Sequence, residues 1–309
     1  MNNPTNDIHA RIFFIKARKV NKAIVFRRGP TDWIQMIVWD LDNDSLQYGQ
    51  WINKKIPMRN CDVSPSGKYL IYFVDHFEHT NSRTVISRPP FWTALTAWEH
   101  GDSLFGNGGG LFADEKIVIL NLHSEIPTDK YPIPPDLTIH PFQSQKEYNL
   151  WKGHINLIHE QRLEMNGWTE HNDVDFVQKE TAQTAAKKNS DDWIKKDPKS
   201  ADPINPKLWK KSISNNTSLY MITFYHFEHR KNFDTFYLVR KKEIIKLNGI
   251  TWADVDNRNR IIATKEGKLY SSKISSDGSV DYINLQVVHD LNSQTPKRIL
   301  TPLEMKSWD

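Results

Sequence analysis

The chain has 309 residues, a formal net charge of +4 and a hydrophobic fraction of 38%. Its 41 basic and 37 acidic residues give a mixed, mildly cationic surface, which by itself excludes the strong charge signature of a nucleic-acid-binding protein. Eleven Trp, ten Tyr and fourteen Phe favour many short strands with aromatic side chains packed between sheets.

A single cysteine, Cys61, excludes an intrachain disulfide, so nothing in the sequence supports an oxidising compartment. The first residues lack the basic and apolar regions of a signal peptide. No apolar run approaches the roughly 18 residues needed to cross a bilayer. We therefore expect a soluble, cytoplasmic protein that does not associate with a membrane.

Strand-length apolar runs open the chain at 12–15 and 23–26. Residues 27–32 (Arg-Arg-Gly-Pro-Thr-Asp) predict a turn, because Gly permits positive φ and Pro fixes φ, and a third strand follows at 33–39. The polar residues 40–44 then reverse the chain into a fourth strand. The pattern predicts consecutive antiparallel hairpins.

Two segments repeat the same order of features. Residues 61–72 place an Asp and a Ser-Pro-Ser-Gly turn (64–67) before an alternating apolar strand, and 252–263 repeat the Asp, a polar turn (256–259) and the strand. Such units, recurring with different loops, indicate a β-propeller, whose blades bury their faces against neighbouring blades. We predict that both turns join antiparallel strands.

These segments also carry a resemblance to a known family. Residues 37–41 (Ile-Val-Trp-Asp-Leu) resemble the end of the third strand of a WD40 repeat, and 64–70 resemble the turn that opens the next repeat in WD40 and related bacterial propellers. A family of uncharacterised bacterial proteins is similar at four segments: 27–30, 61–65, 87–90 and 252–254. The resemblance implies an all-β, β-propeller-like fold of about five to seven irregular blades, and it implies no activity.

Strands continue through 84–122, with a rigid Arg-Pro-Pro turn at 88–90 and a Gly cluster at 106–110. Successive backbone N–H groups of this cluster could bind an anion. The cluster lacks the Lys and Ser or Thr that end a P-loop, which favours a flexible turn between strands.

One helical pattern is present, at 145–165, where residues recur at three- and four-residue spacing and Gly167 marks the end. A second, weak helix is predicted at 182–188, within a polar stretch. We expect one β-propeller-like domain over 1–309, with a helical and loop insertion at 142–212.

The candidate metal sites fail on spacing. Asp40, Asp42 and Asp44 match the first ligands of a calcium loop, but Ser45 stands where a Gly is needed and Trp51 where a Glu is needed. A hairpin turn is therefore favoured. The sequence predicts no metal and no cofactor.

Residues 76–79 and 226–229 both read His-Phe-Glu-His, which supports blade duplication, because two His three apart on a strand point to opposite faces. No Gly-x-Ser-x-Gly segment is present, and Cys61 is expected to be buried. Asp62 and Asp254 occupy matching places in the two units, where Asp commonly holds a turn through backbone N–H groups. We predict a structural turn role for them and assign no catalytic residue.

Arg and Trp in rigid loops are enriched at binding hot spots. Five residues fit that description and are the predicted partner-binding residues: Arg27, Arg28, Arg88, Trp33 and Trp92. If they bind a partner, the arginines should be solvent-accessible. The alternative is that they brace the fold by stacking on core Trp side chains.

The sequence favours a non-catalytic binding or scaffold protein that holds a protein partner through propeller loops. One alternative is an enzyme with a polar central-channel site for a small or phosphorylated substrate. A further alternative is a nucleic-acid-contacting accessory factor of a bacterial defence or conflict system.

Overall fold

A computed structural model gives the fold. It describes residues 9–75, 82–100, 108–121, 132–141, 157–173, 176, 206–226, 231–241, 243–274, 277 and 279–308. In this part of the chain the strands form five sheets, and each sheet is built from consecutive strands. No described helix is long and apolar enough to cross a membrane.

The first sheet contains β1 (Arg11–Lys16), β2 (Lys22–Arg28), β3 (Ile34–Asp40) and β4 (Ser45–Ile52). The second contains β5 (Asp62–Val63), β6 (Leu70–Val74), β7 (Ser82–Ser87) and β8 (Ala94–His100). The third contains β9 (Gly110–Asp114), β10 (Ile117–Leu120) and β11 (Thr138–Pro141).

The fourth sheet contains β12 (Thr169–Glu170), β13 (Lys207–Ser214), β14 (Thr217–His226), β15 (Lys231–Arg240) and β16 (Glu243–Lys246). The fifth contains β17 (Trp252–Val255), β18 (Ile261–Lys265), β19 (Lys268–Ile274) and β20 (Val280–Asp290). Strand order within each sheet follows the chain, and neighbours are antiparallel except for the parallel pair β10–β11.

Strand β6 shows why alternating sequences form blades. Leu70 and Tyr72 pack into a cluster shared with the first sheet, whereas Ile71 packs into a cluster shared with the third sheet. Side chains alternate between the two faces of a strand, so both faces of this sheet are covered by a neighbouring sheet.

The first sheet packs on the second, the second on the third and the fourth on the fifth, and the fifth also packs against the first. One large cluster joins the first, fourth and fifth sheets, and the Thr264 hydroxyl lies 3.3 Å from the carbonyl oxygen of Ile12, to which it donates. Consecutive antiparallel sheets that pack face to face in this order form an all-β, propeller-like fold. The predicted fold class is confirmed.

Both predicted turns are present between antiparallel strands. In the first, the Gly67 amide donates to the Ser64 carbonyl at 2.8 Å between β5 and β6. In the second, the Asn259 amide donates to the Asp256 carbonyl at 3.1 Å between β17 and β18. Gly67 has φ of 73° and Asn259 has φ of 59°, the left-handed conformation that Gly and Asn tolerate best.

Helix α1 (Leu157–Met165) is the described end of the predicted 145–165 helix. The Gly167 amide donates to Glu164 and the Trp168 amide donates to Leu163, which is the hydrogen-bond pattern of a Schellman cap. Gly167 therefore ends the helix as predicted. Predictions for 76–79, 106–107, 145–156, 182–188 and 227–229 lie outside the described residues.

Strand β13 falls within the segment 142–212 that the sequence analysis assigned to an insertion. It pairs with β14 along its length, and Leu208, Trp209 and Ile213 are buried. The strand belongs to the fourth sheet because these apolar side chains have a sheet partner and a core to fill. Its interspersed lysines concealed this pattern in the sequence.

Candidate functional site

The turns at one end of the propeller are linked to one another. The Lys19 amide donates to Pro65 of the second sheet, and the Asn257 amide of the fifth sheet donates to the Asn21 side chain of the first. Glu115 of the third sheet accepts hydrogen bonds from the Ser-Pro-Ser-Gly turn of the second. Turns of the first, second, third and fifth sheets are therefore hydrogen-bonded to one another and form one continuous surface.

Charged and ionisable side chains meet beside this surface, where β1 contacts β5 and β17. We call them the central charged cluster: Lys16, Arg18, Arg59, Asp62, His159, Arg162, Lys211, Asp234 and Asp254. They come from four sheets (the first, second, fourth and fifth), a 3-10 turn (Met58–Asn60) and α1. Buried charges are tolerated only when opposite charges or hydrogen bonds compensate them.

Asp62 connects three parts of the fold. Its Oδ2 accepts the Phe112 amide of the third sheet at 2.9 Å and lies 3.4 Å from the Arg18 guanidinium. Burial raises the pKa of Asp62, while Arg18 and Arg162 act in the opposite direction. The bond to Phe112 joins neighbouring sheets, because the Asp62 side chain lies between them, and the turn role predicted for Asp62 stays a prediction.

Asp254 occupies the matching position in the fifth sheet. Its Oδ1 accepts a hydrogen bond from Nζ of Lys211, 2.6 Å away, and this ion pair joins the fifth sheet to the fourth. The turn that follows is held by Asp256, whose Oδ1 accepts the amides of Arg258 and Arg260, each at 2.8 Å. Asp256 opens the turn and can reach these amides, while Asp254 Oδ1 also accepts the Val255 amide at 2.7 Å, so the structural turn role of Asp254 stays a prediction.

Helix α1 supplies two members of the cluster. Arg162 donates to the carbonyl oxygens of Cys61 and Met58, and its NH2 lies 2.7 Å from Nδ1 of His159. Burial lowers the pKa of Arg162 to about 10. Burial and the two nearby guanidinium groups, Arg59 and Arg162, hold the pKa of His159 well below its ordinary value, so this imidazole is neutral at pH 7.

Arg59 lies in the 3-10 turn, two residues before Cys61, and forms an ion pair in which one nitrogen contacts both oxygens of a carboxylate. Its NH2 lies 2.8 Å and 2.6 Å from the two carboxylate oxygens of Asp234 in β15. Cys61 itself is buried, and burial raises the pKa of its thiol to about 12. The expectation that Cys61 is buried is confirmed.

Arg27 is buried, with 1% of its surface exposed, whereas a partner contact needs solvent access. Its Nε and NH2 donate to the carbonyl oxygens of Leu291 and Asn292, and the guanidinium lies 5.3 Å from the Trp51 ring centroid. Arg27 therefore braces the chain that follows β20. Burial lowers its pKa.

Arg28 and Trp33 differ from Arg27, since both are partly exposed and flank the loop between β2 and β3. The Arg28 guanidinium lies 3.5 Å from Asp32 in the same loop. A role in partner binding stays a prediction for these two residues.

Arg88 and Trp92 lie at the turn that precedes β8. Arg88 is partly exposed and donates to the carbonyl oxygen of Glu304 in the C-terminal tail at 2.7 Å. Trp92 is buried against Tyr72, and its indole donates to Gln50 of the first sheet at 2.9 Å. Trp92 therefore packs within the fold, and a binding role for Arg88 stays a prediction.

The Asp40 to Asp44 segment is a hairpin turn between β3 and β4, as predicted. Asp44 lies 2.8 Å from the Arg260 guanidinium of the fifth sheet, so it joins the first sheet to the last. Within the described ranges, no three His, Cys, Asp or Glu side chains are placed to hold a metal.

Gly108 and Gly109, the described end of the Gly cluster, are closely packed. Their amides donate to the Asn121 carbonyl and the Thr84 hydroxyl. A Cβ at Gly109 would lie 2.0 Å from the Asn60 carbonyl oxygen. These amides are used within the fold, so the anion interpretation does not apply to them.

A second candidate surface lies on the outermost strand of the fifth sheet. Strand β20 exposes Ile283 and Val287, at 55% and 52% of their surfaces. Its outer edge pairs with no strand in the described part of the chain. Its pairing with β19 is interrupted at two bulges, between Asp281 and Leu285 and between Val287 and His289, and in the first of them Asp281 accepts the amides of Ile283 and Asn284.

Comparisons with known proteins give no family. No protein-family model and no curated protein matches the sequence. Among solved structures, the β-propeller domain of the trilobed protease from Pyrococcus furiosus has 9% identity and a TM-score of 0.26, covering 93% of this chain and 100% of that one. That domain is described as having an open Velcro topology.

Two peptidases of known structure are similar to this chain at a comparably low level. The AtxE2 isopeptidase has 9% identity and a TM-score of 0.36, with 93% of this chain and 54% of that chain covered. The acylaminoacyl peptidase from Pyrococcus horikoshii has 12% identity and a TM-score of 0.24, with coverage of 89% and 39%. The chain thus spans about half or less of these peptidases, and the sheet order described above carries the fold assignment.

Proposed function

We propose that this protein is a non-catalytic binding protein whose propeller holds a protein partner along β20. The observation that supports the proposal is the exposure of Ile283 and Val287 on an outermost strand. Exposed apolar side chains on a strand edge favour association with another chain. An extended segment of a partner can add to such an edge through backbone hydrogen bonds, with side-chain contacts giving specificity.

The loop that carries Arg28 and Trp33 extends this proposed surface. Because Arg27 holds Leu291 and Asn292, the loop starts beside the chain that leaves β20. Arg28 and Trp33 are partly exposed there and belong to residue types enriched at hot spots. The partner would therefore contact both the strand and the loop.

The experiment compares the double variant Ile283→Asp with Val287→Asp against Ile244→Asp. Ile244 is a matched control, since it is 48% exposed on β16, the outermost strand of the fourth sheet. Affinity capture from native cells, followed by titration of the purified partner, should show at least about tenfold weaker binding for the double variant alone. A partner that binds the double variant as tightly as the wild type contradicts the proposal.

The second candidate function is an enzyme acting on a small or phosphorylated substrate, and the central charged cluster favours it. Carboxylates and cationic side chains from four sheets converge there, as such a site requires. A turnover screen with small phosphorylated compounds tests this candidate. Activity that is lost in Arg59→Lys and kept in Val287→Asp supports the enzyme, whereas no turnover by the wild type contradicts it.

A further inference from the structure

The hydrogen bonds of Arg162 determine which nitrogen of His159 carries the proton. Arg162 NH2 can only donate, so Nδ1 of His159, 2.7 Å away, accepts. A neutral imidazole with an accepting Nδ1 is protonated on Nε2. His159 is 1% exposed, and its Nε2 has no hydrogen-bond partner among the described residues.

Two further donors near His159 have no acceptor among the described residues. Arg59 uses NH2 for Asp234, but its buried NH1 has no hydrogen-bond partner in the described structure. The Trp252 ring lies 5.5 Å from the His159 ring, and its buried indole N–H is also without an acceptor in that part of the chain. Buried donors are nearly always satisfied in folded proteins, so this group indicates a missing acceptor.

The elements that carry these donors are in contact. Helix α1 packs on the 3-10 turn (Met58–Asn60), and Arg162 bonds to the carbonyl oxygens on either side of Arg59 in the chain, those of Met58 and Cys61. The donors are thus held on a fixed framework, which is what a binding site for a small ligand requires.

The charge of the central cluster favours an anion over a neutral acceptor. Five cationic side chains, Lys16, Arg18, Arg59, Arg162 and Lys211, face four carboxylates, Asp62, Asp234, Asp254 and Asp256. The neutral His159 adds a donor and no negative charge. An uncompensated positive charge in a buried place is costly, and an oxyanion that accepts hydrogen bonds from guanidinium and imidazole removes that cost.

We propose that Nε2 of His159 and NH1 of Arg59, where α1 packs on the 3-10 turn, bind a small oxyanion. Burial of both donors restricts the ligand to a small one, of the phosphate or carboxylate type. This site is independent of the surface on β20, and either proposal can fail while the other holds.

Calorimetric titration and thermal melts with inorganic phosphate or acetate, each matched to sodium chloride of equal ionic strength, test the site. One of the two oxyanions should bind the wild type saturably and raise its Tm, and which one binds distinguishes a tetrahedral from a planar ligand. Arg59→Lys keeps a cation beside Asp234 and removes NH1, and His159→Phe removes Nε2. Each should weaken binding at least about tenfold.

Arg258→Lys is the matched control, because Arg258 pairs with Asp42 on the exposed turn surface, and it should bind as the wild type does. A crystal structure of the wild type with the bound anion locates the site even where a variant does not fold. Oxyanion density between His159 and Arg59 is expected. Water alone there, no saturable binding, or wild-type affinity in both folded variants overturns the proposal.

Discussion

At the scale of single residues, buried arginines join parts of the chain that are far apart in sequence. Arg27 donates to Leu291, and Arg260 donates to the carbonyl oxygen of Leu41. Arg162 makes the same kind of bond to Cys61 from α1. The planar guanidinium offers several donors in a fixed geometry, so one side chain can satisfy carbonyl groups that would otherwise be buried without a partner.

Replacing Arg27 tests this bracing role. Arg27→Ala leaves the Leu291 and Asn292 carbonyls without their donor and removes the contact with Trp51. We expect the free energy of unfolding in urea to fall by about 3 kcal/mol. Arg28→Ala, the matched neighbour, should cost less than about 1 kcal/mol, because its ion pair is exposed. Equal losses for the two variants would contradict the assignment.

Cys61 should be unreactive in the folded protein. Burial raises the pKa of its thiol to about 12, so the nucleophilic thiolate is scarce at pH 8 and the sulfur is shielded. Labelling with a thiol reagent at pH 8 should be complete only in denaturant. Rapid labelling of the native protein would show that Cys61 is accessible.

At the scale of elements, the end of α1 depends on Gly167. Its φ is 83°, and a Cβ placed there meets no described atom within 4 Å. Gly167→Ala therefore isolates the cost of the left-handed conformation, which should lower the free energy of unfolding by about 1 kcal/mol. Glu164→Ala, in the last turn of the same helix, is the control and should change the free energy of unfolding little. An unchanged stability in Gly167→Ala would mean that the cap is absent.

Structural elements were predictable where they depend on interactions between residues close together in the sequence. The two turns and Gly167 follow from residues only a few positions apart. Strand β13 was missed, because its lysines interrupt the apolar pattern and its partner β14 decides the conformation. The contacts of Asp62 with Phe112 and of Asp254 with Lys211 were not predicted, because a sequence pattern does not show which neighbouring sheet a side chain reaches.

At the scale of the whole molecule, sequence repeats predicted blades but not which side chains meet at their centre. Asp234 and Arg59 are 175 positions apart, and their ion pair exists only because the sheets are arranged in order. The matching positions of Asp62 and Asp254 in the two repeated units were the available signal, since equivalent inner strands converge. His159 had no such signal, because α1 joins the centre from outside the repeat pattern.

The packing of the fifth sheet on the first is what arranges the consecutive sheets as a propeller. Arg260 and Asp44 form an ion pair across this seam, at 2.8 Å; the Arg260 side chain is buried and the Asp44 side chain is partly exposed. Asp44 has φ of 58°, so Asp44→Asn is the suitable substitution, since Asn tolerates that conformation.

A double-mutant cycle of Asp44→Asn and Arg260→Gln, followed by urea unfolding, tests this seam most directly. If the first and last sheets are in contact, the two side chains should show a coupling energy of about 1–3 kcal/mol. Strictly additive effects of the two substitutions would show that the two turns do not meet, and would contradict the propeller arrangement.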